Sequence, residues 1–484
     1  MTTIVWFRQD LRLSDHPAFS AALDNATEHD PCIIPVYILD EGPAPLGGAA
    51  RWWLHHSLSA LTKDLATRGS RLILRRGNPE IVITALLQET GATSVYWNRR
   101  FDPTGIHQDQ AIKTQLKARG IDAQSFPGNF LHEPWRVLNR KAESFRVFTP
   151  YWKALIAAGI DVPPLPPLPN ALPPVPSNIA STPLETLGLL PDIPWDRAFP
   201  EHWQPGEHGA WEGLAAFLPK IESYAEGRNA LDGQGVSRLS PHLRFGEITP
   251  RQISAELFAR YPHPLEVPGV EHFLRELGWR EFGAYLLYHD PLSETEPLNP
   301  RFAAFPWRDA PNDLRAWQRG ETGIPVVDAA MRALWTTGWM HNRARMIVAS
   351  FLTKNLLIDW RCGADWFMDT LVDADLASNT AGWQWTAGTG ADAAPFFRIF
   401  NPILQAEKFD PQGDFIRQWL PELARADTKT LFAPWQATDS ALSKAGIRLG
   451  ETYPEPIVDL AASRRRALDA FAQIKAGVVH EPPQ

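Results

Sequence analysis

A change of hydrophobic rhythm near residue 130 limits what this chain of 484 residues can fold into. Before it, short apolar runs alternate with stretches of helical spacing. Strand candidates are Thr3–Arg8, Cys32–Leu39, Arg71–Arg75, Ser94–Trp97 and Ala123–Phe126, separated by helical patterns that include Trp52–Thr67, Pro79–Thr90 and Gln108–Ala118. Strands separated by helices of that length predict a parallel, doubly wound sheet. Its ligand sites belong off the carboxyl ends of the strands. No G-x-G-x-x-G or Walker pattern follows the first strand, so nothing supports a dinucleotide or nucleoside triphosphate there. From residue 206 the strands disappear, and apolar residues recur at helical spacing through Ala210–Tyr224, Pro250–Arg260, Val270–Tyr288, Val326–Trp335, Asn342–Trp360, Ala364–Leu371 and Ala461–Ala476. Between the two regions, Pro163–Pro169 and Pro173–Pro176 suit an extended polyproline connector. The expected architecture is α/β followed by all-α: an α/β domain over 1–130, a linker over 131–205 and a helical domain over 206–484.

A formal charge of −8 disfavours indiscriminate coating of nucleic acid, yet the charge is uneven. Between Met331 and Arg361 the cations Arg332, Arg343, Arg345, Lys354 and Arg361 face the one acid Asp359, so a local cationic face is allowed. The two cysteines, Cys32 and Cys362, show no pairing logic and argue for a reducing compartment and against zinc or iron–sulfur centres. No secretory n-region precedes Ile4, and no apolar run approaches the ~18 residues of a membrane span. The cytosol is the expected location. Of 20 tryptophans, eleven fall between Trp279 and Trp435, a region that also concentrates arginine, asparagine and aspartate. Most tryptophans serve as packing anchors. The same residue also supplies stacking faces and is easily oxidised by one electron.

Three clusters in the helical region carry polar chemistry. In Val236-Ser237-Arg238-Leu239-Ser240-Pro241, the proline favours a helix start with Ser240 as N-cap, and backbone N–H groups with two hydroxyls suit a phosphate; a plain cap has the same signature. Asn342, Arg345 and Met346 are spaced i, i+3, i+4 and share a helical face. A buried Arg345 needs a carboxylate, for which Asp373 and Asp375 are natural partners, and a structural ion pair would satisfy the same pattern. As a metal site, Asp373-Ala374-Asp375 lacks a third hard ligand. Glu276, Trp279 and Arg280 repeat the i, i+3, i+4 spacing and would place a hydrogen-bonding carboxyl, a stacking wall and a phosphate contact on one face, or simply form a solvated charged surface.

Longer motifs go further. Val5-Trp6-Phe7-Arg8-Gln9-Asp10-Leu11-Arg12, the Ser237–Ser240 run, Glu276-Leu277-Gly278-Trp279-Arg280-Glu281-Phe282, Thr322–Ala329, the Trp339–Trp385 block and Phe397-Arg398-Ile399-Phe400-Asn401-Pro402 follow in order along nearly the whole chain. In these the chain resembles the photolyase/cryptochrome flavoproteins, and within them the cyclobutane pyrimidine dimer photolyases. Gly47–His56 is similar to the bacterial class III branch. The resemblance implies a buried FAD, active when fully reduced, with UV-damaged DNA as substrate and a monomeric enzyme. It places Tyr224 and Val236, Ser237, Arg238, Leu239 and Ser240 at the phosphates. Trp339, Arg345, Asp373 and Asp375 fall around the isoalloxazine and ribityl chain, with Asn342 also in the cofactor set and Asn379 facing flavin N5. A flipped-out dimer would lie between Trp279 and Trp385, hydrogen-bonded by Glu276 and Asn342 and packed by Met346. Arg228, Arg280, Arg343 and Arg398 are implied DNA contacts. Trp383, Trp360 and Trp307 match the relay that reduces resting flavin. The family often has threonine at the position of Val236, so one phosphate-contacting hydroxyl is missing, and Arg228-Asn229-Ala230-Leu231 departs from the common Arg-Asp-Phe-Pro.

Repair of (6-4) photoproducts is disfavoured because it uses histidines where this chain has Asn342 and Met346. A cryptochrome-type receptor without repair activity would carry a long C-terminal extension or lack the dimer-walling residues. The class III likeness implies an antenna chromophore in the α/β domain, methenyltetrahydrofolate rather than deazaflavin, with Asp40–Trp53 and Asn98–Asp102 as neighbours at strand ends.

Overall fold

The computed structural model describes residues 2–26, 32–40, 42, 46–160, 164–392 and 397–476. Glu41, Pro43–Pro45 of the expected antenna neighbourhood and Pro163 of the proline run lie outside them. The chain divides into two compact units. The first comprises 1–222, 237–291 and 372–375, and the second 223–236, 292–371 and 376–484.

In the first unit, five parallel strands, β1 (Thr2–Phe7), β2 (Cys32–Leu39), β3 (Ile73–Arg76), β4 (Ser94–Asn98) and β5 (Asp122–Phe126), lie in the order β3-β2-β1-β4-β5. Strand β1 pairs on one side with β2, Ile4 opposite Ile34, and on the other with β4, Ile4 opposite Val95. Such a central strand is covered on both faces, which explains its continuous apolar run. Ile4, Trp6, Ile34, Val36, Ile73, Val95 and Trp97 join Ile83, Leu86, Ile112 and Leu116 from the flanking helices in one core. Those helices begin where sequence chemistry dictates. Asn78 caps Pro79–Thr90 by accepting from the Glu80 and Ile81 N–H groups, and Asp102 caps Pro103–Ala118, which starts five residues before its predicted onset at Gln108.

The expected linker is more structured than its composition suggests. It holds the helix Phe148–Ala158, whose Phe148, Tyr151, Trp152 and Leu155 are buried, together with short helical turns at Pro134–Arg136 and Leu184–Leu187. The i, i+3, i+4, i+7 spacing of those four residues was a helix signal hidden by the surrounding prolines.

Helices dominate the second unit. The predicted run Asn342–Trp360 is not one helix. An α-helix covers Asn342–Ser350, a π-helical turn Phe351–Asn355, and a new helix Trp360–Thr370 starts after Leu357, whose φ is 54°. Asp359 caps the new helix by accepting from the Arg361 N–H at 3.0 Å. Leu376–Ala387 forms a further helix, and Leu460–Ala476 the closing one, packed with Phe302, Phe305 and Leu357. Among the described residues no helix is long and apolar enough to cross a membrane.

Candidate functional site

The helix Pro268–His289 of the first unit carries Glu276, Trp279 and Arg280, all half-buried. The Trp279 indole lies flat on Phe148, with ring centroids 3.7 Å apart and planes 9° apart, and Phe148 in turn stacks on Trp152. Gly278 makes this possible, because a Cβ there would sit 2.6 Å from the Trp152 ring. One face of Trp279 is thus braced, a rigid platform for a planar ligand. Arg280 donates to the carbonyls of Asn129 (2.8 Å) and Leu243 (3.2 Å) and covers the Phe130 ring. Next to it Glu281 is buried and accepts from the Leu131 N–H at 3.1 Å. Burial pushes its carboxyl up to about 8, against opposing pulls from Arg280 and the backbone N–H groups of Leu131 and His132.

Of the residues expected at the phosphates, some lie in each unit. Tyr224 and Val236 belong to the second, and Ser237–Ser240 to the first. Ser240 is not the N-cap predicted for it. Leu239 holds that position, and Ser240 is the first residue of the short helix Ser240–Phe245. Arg238 has φ +54° and precedes a right-handed Leu239, a sequence of conformations that turns successive N–H groups toward one side and suits an anion. The buried Arg244 donates to the Ala374 carbonyl at 2.5 Å and lies 4.0 Å from the Asp375 carboxylate, while its Nη1 has no hydrogen-bond partner among the described residues. A buried, orphaned guanidinium nitrogen is costly and is the kind of donor a polar cofactor satisfies.

In the second unit, His341 caps the helix Asn342–Ser350, its Nδ1 accepting from the Arg343 N–H at 3.0 Å. Burial first, then the Arg345 and Arg343 charges, lower His341 to about 4, so it is neutral in its capping role. The helix exposes Asn342 and half-buries Arg343, Arg345 and Met346. Arg345 donates to the Met340 carbonyl at 2.8 Å, and Trp339 lies edge-on to His341. Arg343 donates to Asn229 Oδ1 at 2.7 Å and covers the Phe409 ring, and Arg228 lies over Tyr224. The 228–231 segment that departs from the family pattern is therefore tied to the Asn342–Ser350 helix.

Asn379, Trp383 and Trp385 share the helix Leu376–Ala387. Asn379 donates its Nδ2 to the Ala364 carbonyl at 3.0 Å, which fixes the side-chain amide. Between the two tryptophans, Gln384 is buried, donates to the carbonyls of Ser293 (2.7 Å) and Glu296 (2.9 Å) and accepts from the Leu298 N–H (2.9 Å). Trp383 is boxed by Phe367, Trp317 and Gly363, where a Cβ would fall 2.1 Å from its ring. Trp360 is buried at the start of its helix, and Trp307 is half-buried against Phe305 at 4.4 Å. Phe148, Gly363, Gln384 and Arg244 escaped the sequence reading. Only Phe148 had a local signal, its helical spacing with Trp152.

A five-stranded parallel sheet followed by a helical region with caged tryptophans, braced arginines and an anion-suited backbone turn defines a two-part α/β and all-α class of protein suited to an aromatic, phosphate-bearing ligand. Residues 3–172 match the family model for DNA photolyase, and residues 273–473 that for the FAD binding domain of DNA photolyase. The chain is 49% identical to a deoxyribodipyrimidine photo-lyase of Agrobacterium fabrum over 98% of both chains. It is 38% identical to cryptochrome-2 of Arabidopsis thaliana over 98% of this chain and 79% of the relative. A crystal structure of a bacterial class III photolyase from Agrobacterium tumefaciens superposes with a TM-score of 0.93 at 48% identity, covering 98% of each chain. The chain belongs to the photolyase/cryptochrome family and carries its FAD-binding domain.

Proposed function

We propose that this chain repairs cyclobutane pyrimidine dimers in UV-damaged DNA, driven by light. The observation that carries the reading is the 49% identity, over 98% of both chains, to a deoxyribodipyrimidine photo-lyase. It is supported by the presence of Glu276, Trp279, Asn342, Met346 and Trp385, the residues that the family resemblance implies for contact with the dimer. When bound in its fully reduced form and excited by light, FAD supplies the electron that opens the cyclobutane ring and takes it back afterwards. The protein's part is to hold and to exclude. Tyr224, Val236–Ser240, Trp339, Asn342, Arg345, Asp373 and Asp375 would bind the cofactor, and the amide of Asn379, oriented by Ala364, would present its oxygen toward flavin N5. A dimer stacked in duplex DNA is out of reach, so the nucleotide pair must be extruded at a cost of a few kcal/mol, as photolyases and other base-modifying enzymes do. The braced face of Trp279, with Trp385, would receive the extruded bases. The carboxyl of Glu276 and the amide of Asn342 would hold their polar edges. Arg398, which is exposed, together with Arg228 and Arg343, would contact flanking phosphates. Arg280, which holds the carbonyls of Asn129 and Leu243 with two of its five donors, would add a further phosphate contact with the others. Trp383, Trp360 and Trp307 would carry electrons inward to return an oxidised flavin to its reduced form. A methenyltetrahydrofolate antenna follows from the class III likeness, with a monomeric, cytosolic enzyme as the working form.

The test is direct. Purified protein absorbs as a flavoprotein, with an added near-ultraviolet band if the folate is present. It is expected to restore a thymine-dimer oligonucleotide under blue light and not in darkness. A flavin-loaded preparation that leaves the dimer intact in light would favour the receptor reading that the 38% identity to cryptochrome-2 allows.

A further inference from the structure

Lys354 is the most buried lysine in the second unit, 1% exposed, and it sits in the π-helical turn Phe351–Asn355. Single π turns recur at functional positions because the wider turn re-aims a side chain. The ammonium donates to the carbonyl of Ala387, the last residue of the helix Leu376–Ala387, and lies 3.5 Å from the centroid of the Phe397 ring. Burial disfavours its charged form, and among the described residues no carboxylate opposes that, so the ammonium depends on the two partners it touches. A cation held without a counter-ion is disfavoured unless something needs it there. What it touches is specific. The carbonyl at a helix C-terminus is otherwise unsatisfied and carries the negative end of the helix dipole. An aromatic face is the other cheap partner for a desolvated ammonium. Lys354 thus links the turn of the helix that carries Trp385 to the segment in which Phe397 precedes Arg398. Lys354, Trp385 and Arg398 line one hollow, together with Ser350, whose hydroxyl accepts from the Phe400 N–H at 3.2 Å.

We propose that Lys354 is a positioning residue for DNA repair: by pinning the end of the helix Leu376–Ala387 to the Phe397–Arg398 segment, it sets where Trp385 and Arg398 meet damaged DNA. The proposal rests on the assignment of Trp385 and Arg398 to the DNA-contacting surface. Trp383 is held separately, by Gly363, Phe367 and Trp317, so the tryptophan relay does not depend on the clamp.

The experiment compares the full-length, FAD-loaded wild type with Lys354→Met, which keeps the volume and removes the charge, and with Lys354→Arg, which keeps the charge. Trp385→Ala and Arg398→Ala report on the underlying assignment. Lys354→Met is expected to raise Kd for a thymine-dimer oligonucleotide by about fivefold or more, from the loss of a helix-end charge and a cation–π contact. Turnover of chemically reduced enzyme at saturating DNA and the rate of flavin photoreduction stay close to wild type, and Lys354→Arg recovers most of the affinity. If Lys354→Met does not fold, Phe397→Leu, which removes only the aromatic partner, is expected to weaken binding about two- to threefold. Native affinity in Lys354→Met (or in Phe397→Leu, where that variant stands in) while Trp385→Ala and Arg398→Ala bind weakly would overturn the clamp alone. Equal losses of affinity, turnover and photoreduction with no rescue by arginine would overturn it in favour of general destabilisation. Native affinity in Trp385→Ala and Arg398→Ala would remove the assignment on which the clamp stands.

Discussion

Replacing Gly363 with alanine tests the packing of the relay through one methyl group. The added Cβ would lie 2.1 Å from Cη2 of Trp383 and 2.6 Å from its Cζ2 and Cζ3, whereas ordinary contact begins at 3.4 Å. The ring must therefore retreat by about 1.3 Å, or the two helices must part. Retreat is obstructed, because Trp383 is 2% exposed and meets Phe367 at 5.1 Å and Trp317 at 6.1 Å between ring centroids. Overpacking of this kind costs roughly 1–3 kcal/mol. Alanine returns about 0.5–1 kcal/mol in a helix interior relative to glycine, which leaves a net loss between about 0 and 2.5 kcal/mol, centred near 1 kcal/mol. Gly382→Ala is the matched control, since a Cβ there meets nothing within 4 Å. In urea unfolding, Gly363→Ala is expected to lose that stability and Gly382→Ala to gain about 0.5–1 kcal/mol. Under blue light with an external reductant, the Gly363 variant should reduce its flavin several times more slowly, because the first indole of the relay has moved. Repair by chemically reduced enzyme should stay near wild type. Photoreduction at the native rate together with native stability would refute both the packing argument and the placement of Trp383 at the head of the relay.

Trp383→Phe removes the oxidisable indole while keeping an aromatic ring, so photoreduction should stop while chemically reduced enzyme still repairs dimers, a contrast read by absorbance and by dimer reversal on the same sample. Trp279→Ala removes the platform braced by Phe148 and should weaken binding to a dimer-containing oligonucleotide by about 1–3 kcal/mol, with little change for undamaged DNA in fluorescence anisotropy. Glu281 titrates at about 8 in the folded protein, so the folded state holds a proton there that the unfolded chain releases near 4.5. Its contribution is fully present below pH 4.5 and is lost as pH rises through 8, a decline on the order of a few kcal/mol. Glu281→Gln should flatten that decline, matching wild type near pH 5 and exceeding it in urea stability near pH 9, and parallel pH profiles would contradict the shift.

Local chemistry was legible along the chain, and non-local pairing was not. Helices with a proline at their first position and an Asn or Thr cap, Pro79–Thr90 and Pro250–Arg260, begin and end where the residues predict, because those signals act within one turn. The run from Asn342 to Trp360 misleads for the opposite reason. No glycine or proline marks the break, which Leu357 makes at a φ of 54°, supported by its burial against Phe302 and Ala467 rather than by its own preference. The helix Leu376–Ala387 went unpredicted because Ser378, Asn379 and Thr380 dilute its apolar face, and Asn379 among them is the residue proposed to face the flavin. The arginines make the same point. Residue type marks Arg280 and Arg398 equally as phosphate contacts, but Arg280 also holds the carbonyls of Asn129 and Leu243, residues 151 and 37 positions away, whereas Arg398 is exposed. A sequence motif reports which donors a fold possesses. Only the tertiary structure decides which are spent on holding the scaffold and which stay available for DNA, and Lys354, buried at the end of the Trp385 helix, is a charge of the first kind positioned to govern one of the second.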